Sequence, residues 1–204
     1  MKRRLWRNIE EKIAQGLMLF SIVTVLLILI MIVGMTIVRG ARVLSWEMLT
    51  QPPSGGFYLG GGGGILNAML GSLYLTLGGL VLATFIALPI VLYLHLYTRN
   101  HRLRRLVRLA LDTLWGIPGI VYGAFAFILM IAVGMRASLL AGIITLALVM
   151  LPILARTFDE VLDLVPPDLL NAARSLGATR LELIEVLVRQ SLPGLVTAML
   201  LGMG

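Results

Sequence analysis

The chain has 204 residues, of which 59% are apolar and 13% are charged, and its formal net charge is +7. The apolar residues stand in long blocks, a composition that excludes an ordinary soluble domain and indicates an integral membrane protein. Lys2 and Lys12 are the only lysines and there is no cysteine, which excludes a P-loop lysine, a buried Schiff-base lysine, thiol catalysis and thiolate metal sites.

The first part of the chain, residues 1–38, combines a basic amino-terminal segment with an apolar run at residues 17–38. This run is longer than the apolar region of a signal peptide and ends without a small-residue cleavage site, so we predict a retained transmembrane helix. Residues 39–66 contain Pro52, Pro53 and many glycines. They predict an extracytoplasmic linker between the first helix and a transmembrane core at residues 67–204.

The core contains four further apolar runs. They predict spans at about residues 68–97, 113–133 and 137–157, and an incomplete span at 192–204. Inside the run at 113–133, Pro118 predicts a bend, while Gly119 and Gly123 form a pair that lets another helix approach closely. Plain helix packing is the simpler interpretation of the two glycines, and a bend beside a transport path is the functional one.

Basic residues predict the orientation of these spans, because positive charge collects on the cytoplasmic side. Ten lie before the first span or between the second and the third: Lys2, Arg3, Arg4, Arg7, Lys12, Arg99, Arg102, Arg104, Arg105 and Arg108. The amino terminus is therefore expected in the cytosol, together with residues 158–191. Topology and anionic lipid explain the net charge without nucleic acid.

Residues 158–191 contain the pattern of two short amphipathic helices. Asp168 suits a helix amino terminus, Gly177 suits a carboxyl-terminal cap, and Thr179 with Glu182 forms a capping box that starts the second helix. The two predicted apolar faces are Leu169, Ala172, Ala173 and Leu176 on the first helix, and Leu181, Ile184, Leu187 and Val188 on the second. From periodicity alone, packing on the protein's own bundle or on lipid headgroups is favoured over docking of a partner.

The same segment resembles the EAA loop of ABC importer permeases, since Asn171, Ala172, Ala173 and Gly177 keep its spacing. Residues 60–76, 109–123 and 151–166 resemble phosphate-specific permeases of the PstA kind. Asn171 departs from the glutamate that the family usually has. The resemblance implies an all-α, MetI-like polytopic helical bundle with a cytosolic coupling helix pair, in which this chain stops before the family's last helices.

The function implied by the resemblance is that of a permease subunit in an ATP-driven importer of inorganic phosphate in the cytoplasmic membrane. The chain itself is expected to have no catalytic residue, metal site or cofactor, with ATP and Mg bound by a partner ATPase. The implied partners are a homologous second permease, two cytosolic ATPase subunits docking at Asn171, Ala172, Ala173 and Gly177, an extracytoplasmic phosphate-binding protein, and membrane lipids. Two alternatives stay open: a permease for another oxyanion such as sulfate or molybdate, and a non-transporting membrane scaffold or sensor subunit.

Arg156 is the candidate substrate-pathway residue, because it matches an arginine that phosphate permeases carry before the helix pair. Snorkelling of Arg156 to lipid headgroups is the alternative. Asp112 is expected to pair with Arg108, one helical turn earlier. His95 and His101 have no carboxylate at ligand spacing in the sequence, so we predict interfacial side chains rather than metal ligands.

Overall fold

The structure is a computed structural model that describes residues 2–54, 63–98 and 100–203, without the side chains of residues 2–9. Within these residues it contains helices only, apart from an isolated antiparallel bridge between Pro53 and Gly63, which confirms the all-α class. The helices are α1 (Lys2–Ala41), α2 (Trp46–Thr50), α3 (Leu66–Leu96), α4 (His101–Trp115), α5 (Gly119–Ala132), α6 (Leu139–Asp163), α7 (Pro167–Ser175) and α8 (Arg180–Gly202). They form two compact units, Met1–Asn67 and Ala68–Gly204.

The first unit is built on α1, a helix of 40 residues that extends beyond the predicted span at both ends. Its apolar side chains are exposed in the isolated chain, as expected of a helix that is surrounded by lipid. The predicted linker includes the short helix α2, where the Ser45 side chain accepts a hydrogen bond from the Met48 amide. Residues 55–62, with most of the predicted glycine-rich stretch, lie outside the described residues.

In the second unit, glycines allow α3 and α6 to approach each other closely. A Cβ atom added at Gly78 would lie 2.7 Å from the Ile143 side chain, and one at Gly79 would lie 3.2 Å from Leu146. A larger residue at either position would require the facing α6 side chain to shift. Small residues at helix contacts are the usual device by which membrane helices gain van der Waals contact.

The predicted third span is broken rather than bent. α4 and α5 meet at 93°, and Pro118 precedes α5 instead of lying inside a continuous helix. Proline lacks an N–H and disfavours helical geometry at the residue before it, so Ile117 and Pro118 end the helical run. α5 has 14 residues and reaches about 21 Å, which is less than the roughly 30 Å of a bilayer's hydrocarbon core.

The centre of the second unit is α6, whose Leu154, Ala155 and Phe158 are completely buried. α4, α5 and α8 all pack on it. α8 is one continuous helix that contains Pro193, so the apolar run at residues 192–204 continues the second helix of the pair instead of forming a helix of its own. Among the described residues, four helices, or up to five if α4 and α5 count as one broken span, are long and apolar enough to cross a membrane.

Candidate functional site

The turn between α7 and α8 is defined by local hydrogen bonds that the sequence predicted. Gly177 has a φ of +84°, the left-handed region that favours glycine, and its amide donates to the Arg174 carbonyl at 3.0 Å. The Ala178 amide donates to the Ala173 carbonyl at 3.1 Å, which completes a Schellman cap. The predicted glycine cap is therefore confirmed.

The capping box at the start of α8 is confirmed as well. The Thr179 hydroxyl accepts from the Glu182 amide at 3.4 Å, and the Thr179 amide donates to the Glu182 carboxylate at 2.6 Å. These bonds satisfy amides that the first turn of a helix otherwise leaves without partners. Together with the Gly177 cap, they fix the direction in which α8 leaves α7.

The face of α7 that the sequence predicted as apolar is mostly exposed. Leu176 is 90% exposed and Leu169 is 38% exposed, while Leu170 packs against the core in their place. Ala173 is half-buried and Ala172 is exposed. The exposed amide side chain of Asn171 accepts a hydrogen bond from Arg174 within the same helix at 3.0 Å.

The packing face of α8 also differs from the prediction in part. Leu187 is buried and Ile184 and Val188 are partly buried, as predicted, but Leu181 is 73% exposed. Leu183, which the periodicity did not select, is 5% exposed. Leu181 and Leu176 therefore leave apolar surface on the outside of the α7–α8 turn.

A cluster of charged side chains joins the ends of α3, α4 and α6 around Asp159. The side chain of Asp159 is only 2% exposed. Its Oδ1 accepts from Arg108 Nη2 at 2.9 Å and lies 2.8 Å from His95 Nε2. Arg108 also pairs with Asp163 at 2.7 Å. A buried carboxylate requires such partners, because removing an ion from water costs several kcal/mol.

The predicted pairing of Asp112 with Arg108 was wrong. Arg108 turns across to Asp159 and Asp163 on α6, where its Nε lies 2.6 Å from Asp159 Oδ2 without the alignment of a hydrogen bond. Asp112 instead lies 3.3 Å from Arg156 Nε. Buried Asp159 outcompetes a local partner because it has no access to water.

Arg156, the predicted substrate-pathway residue, lies at the edge of the same cluster. Besides Asp112, its guanidinium faces Glu160 at 3.2 Å and Asp159 at 3.6 Å. Its side chain is 27% exposed. Three carboxylates therefore surround this cation.

His95 has carboxylates nearby in space, contrary to the expectation from sequence spacing. Ligand atoms of His95, Asp159 and Asp163 lie within 4.8 Å of one another, close enough to hold a metal ion. However, the Arg108 guanidinium lies on both carboxylates and would repel a metal cation. The arrangement favours a hydrogen-bonded ion-pair cluster, and His101 lies apart from it on the exposed side of α4.

Gly119 and Gly123 line an apolar cavity of about 540 Å³ between α3, α5 and α6, together with Leu75, Phe127 and Thr145. No atom of the described chain lies within 4 Å of a Cβ built at either glycine. Close packing at this pair therefore does not occur within the chain and stays a prediction for another helix. The cavity contains no cation that could bind an oxyanion.

The Asp159 cluster could not be found by local spacing, because the pairs that join α6 to α3 and α4 lie 51 to 64 residues apart in the chain. One signal was available: the end of an apolar run carries four charged residues, and acidic residues at such a place need partners. They are Arg156, Asp159, Glu160 and Asp163.

Comparison with known proteins gives concordant results. Residues 79–204 match the family described as binding-protein-dependent transport system inner membrane component. The chain is 33% identical to the phosphate transport system permease protein PstA of Yersinia pestis, over 98% of this chain and 68% of that protein. It is 32% identical to PstA of Haemophilus influenzae, over 96% of this chain and 69% of that protein. A solved structure of the MetNI methionine ABC transporter in an inward facing conformation shares 27% identity, with a TM-score of 0.63 and 68% of each chain covered.

Proposed function

Because the chain belongs to the family of binding-protein-dependent transport system inner membrane components, we propose that it is the permease subunit of an ATP-driven importer of inorganic phosphate. The observation that carries the substrate is its identity of 31–33% with three PstA proteins, each over at least 96% of this chain. The family membership makes it an integral membrane transport component. Its substrate, orientation and partners are the proposed part.

The proposed orientation places the amino terminus, α4 and the α7–α8 turn in the cytosol. It rests on the ten basic residues at that side of the predicted spans. The proposed partners are a homologous second permease, two cytosolic ATPase subunits that bind ATP and Mg, and an extracytoplasmic phosphate-binding protein. This chain has no P-loop lysine, so hydrolysis of ATP falls to the ATPase subunits.

The α7–α8 turn is the proposed docking site for an ATPase subunit, with Asn171, Ala172, Ala173 and Gly177 at its centre. Its support is exposure: Leu176 is 90% exposed although it lies on the cytosolic side, away from lipid. An apolar side chain in that position gains free energy only when a partner protein covers it.

Arg156 is the proposed cation of the phosphate pathway. A guanidinium offers a planar set of donors that matches phosphate oxygens. Because Asp112, Asp159 and Glu160 now surround it, phosphate reaches it only in a state in which these ion pairs open. The cluster would then exchange carboxylate partners for the transported anion.

Uptake of radiolabelled phosphate in cells that lack this protein tests the proposal. We expect uptake to fall on deletion and to return when the gene is supplied again. Parallel assays with sulfate and molybdate separate the substrates: loss of sulfate or molybdate uptake with normal phosphate uptake would contradict the proposal. Normal uptake of all three anions would instead indicate a scaffold or sensor subunit.

A further inference from the structure

α4 has three faces with three different surroundings. Val107 and Leu111 face the protein core. Leu103 and Leu106 are 44% and 65% exposed and form an outward apolar stripe. The side opposite this stripe carries the basic residues. An amphipathic helix with this division lies in a membrane interface, with its apolar stripe in the acyl region and its charges among the headgroups.

The angle between α4 and α5 is a second, independent argument that α4 lies in the membrane interface. α5 is apolar along its whole length and meets α4 at 93°. If α5 enters the bilayer along the membrane normal, α4 lies parallel to the membrane plane. The helix is then placed at the depth of the lipid phosphates.

The basic side of α4 contains a cleft of about 420 Å³. It is lined by His101, Arg104, Arg105, Arg108, Leu109 and Asp112. Three of these groups already have partners. Arg104 donates to the carbonyls of Leu94 and Thr98, Arg108 pairs with Asp159 and Asp163, and Asp112 pairs with Arg156.

His101 and Arg105 differ from the other lining groups. Within the described part of the chain, no hydrogen bond or ion pair engages either side chain, and both residues are exposed. Both line the same cleft as Arg104 and Arg108, whose own partners fix α4 against α3 and α6. Arg105 thus adds to the cleft a positive charge that no carboxylate of the described chain neutralises.

We propose that this cleft binds the phosphate headgroup of an anionic phospholipid. Basic pockets on the cytoplasmic side of membrane proteins recognise such headgroups through their phosphates. A free phosphate ion offers the same oxygens, but the surroundings favour the lipid. Leu109 lines the cleft and is 65% exposed, and it leads to the stripe of Leu103 and Leu106, which acyl chains would cover.

The test measures lipid retention by the purified permease complex with native mass spectrometry. Phosphatidylglycerol is titrated against phosphatidylcholine for the wild type, Arg105→Gln and Arg102→Gln. Arg102→Gln is the matched control, because it removes the same charge from the same helix outside the cleft. We expect Arg105→Gln to weaken retention of phosphatidylglycerol about tenfold or more, because a direct hydrogen bond to a charged group is lost. Arg102→Gln removes only the diffuse attraction of one surface arginine and should weaken retention about fivefold or less.

Equal losses in the two variants would mean that only diffuse surface charge acts, and unchanged retention in Arg105→Gln would exclude the site. Inorganic phosphate forms the other arm of the experiment. If millimolar phosphate displaces phosphatidylglycerol from the wild type at constant ionic strength, the cleft is a phosphate-ion site and the lipid proposal fails. None of these outcomes depends on the transported substrate, so the proposed function is tested separately.

Discussion

At the scale of single residues, Asp159 is the side chain that joins α3, α4 and α6 at one end of the bundle. It is buried, and it joins His95 of α3, Arg108 of α4 and Arg156 of the preceding turn of α6. Loss of its charge would leave Arg108 with the half-exposed Asp163 as its ion-pair partner. Leaving a cation without its buried partner destabilises the folded protein by more than the original ion pair stabilised it.

We expect Asp159→Asn to destabilise the protein by roughly 2–4 kcal/mol, somewhat less than for a fully buried pair, because the arginines are partly exposed. Thermal unfolding of the purified protein in detergent measures this loss. Glu185→Gln is the control: it breaks the exposed pair with Arg189, whose side chain is 82% exposed, and should leave the melting temperature nearly unchanged. Equal effects of the two variants would show that Asp159 is not the anchor of the cluster.

Arg156→Gln is expected to lower phosphate uptake about tenfold or more, because a hydrogen bond to a charged group contributes roughly 1.5–3 kcal/mol. Lysine at position 156 should restore uptake only in part, since it keeps the charge and loses the planar fork. Arg136→Gln, at the exposed turn before α6, is the control with a smaller expected effect. A normal melting temperature with low uptake supports a pathway role, whereas a melting temperature lowered in proportion would assign Arg156 to structure alone.

At the scale of elements, the sequence-based predictions were correct where the signal lies within one helical turn. The Gly177 cap and the Thr179–Glu182 box depend on residues within one turn, and both were predicted correctly. The continuity of α8 was missed because the apolar run at residues 192–204 was interpreted as a separate span. A proline inside a membrane helix is tolerated where neighbouring groups satisfy the backbone that it frees. Ser191 and Leu195, on either side of it, are both buried.

Substitutions at Gly177 separate the shape of the α7–α8 turn from the bulk of the side chain. Gly177→Val should cost about 1–2 kcal/mol or more, because a β-branched residue strains the left-handed conformation, whereas asparagine tolerates it better. We therefore expect Gly177→Val to reduce co-purification of the ATPase strongly and Gly177→Asn to reduce it little. Equal co-purification with both variants and the wild type would contradict docking at this turn.

At the scale of the whole chain, the predicted spans were based on where apolar runs begin and end. The boundaries of a run do not show in which direction its helix points. The run at residues 113–133 has the length of a span, yet its first three residues, 113–115, belong to α4 and the rest turns away by 93°. Arg108 pairs with α6 instead of with Asp112 because α4 packs on α6. Ion pairs between distant residues therefore could not be assigned before the three-dimensional arrangement was known.

The orientation can be tested with single cysteines, because the chain has none of its own. Positions 54 and 137 are exposed on the side proposed to be extracytoplasmic, and Asn171 is exposed on the proposed cytosolic side. In intact cells, a membrane-impermeant maleimide should label cysteines at Ser54 and Ala137 but not at Asn171, which should react only after the membrane is opened. Labelling of position 171 in intact cells would reverse the orientation and remove the docking role.

The unbroken course of α8 has a mechanical consequence. Its 23 residues form a rod about 35 Å long, which begins at the exposed α7–α8 turn and ends at Gly202. A hinge next to the turn would absorb a push applied there, but a continuous helix transmits it. Pro193 divides this rod into a longer arm on the side of the turn and a shorter inner arm that ends at Gly202. If the rod pivots there, the displacement at its inner end is smaller than the one at the turn and opposite in direction.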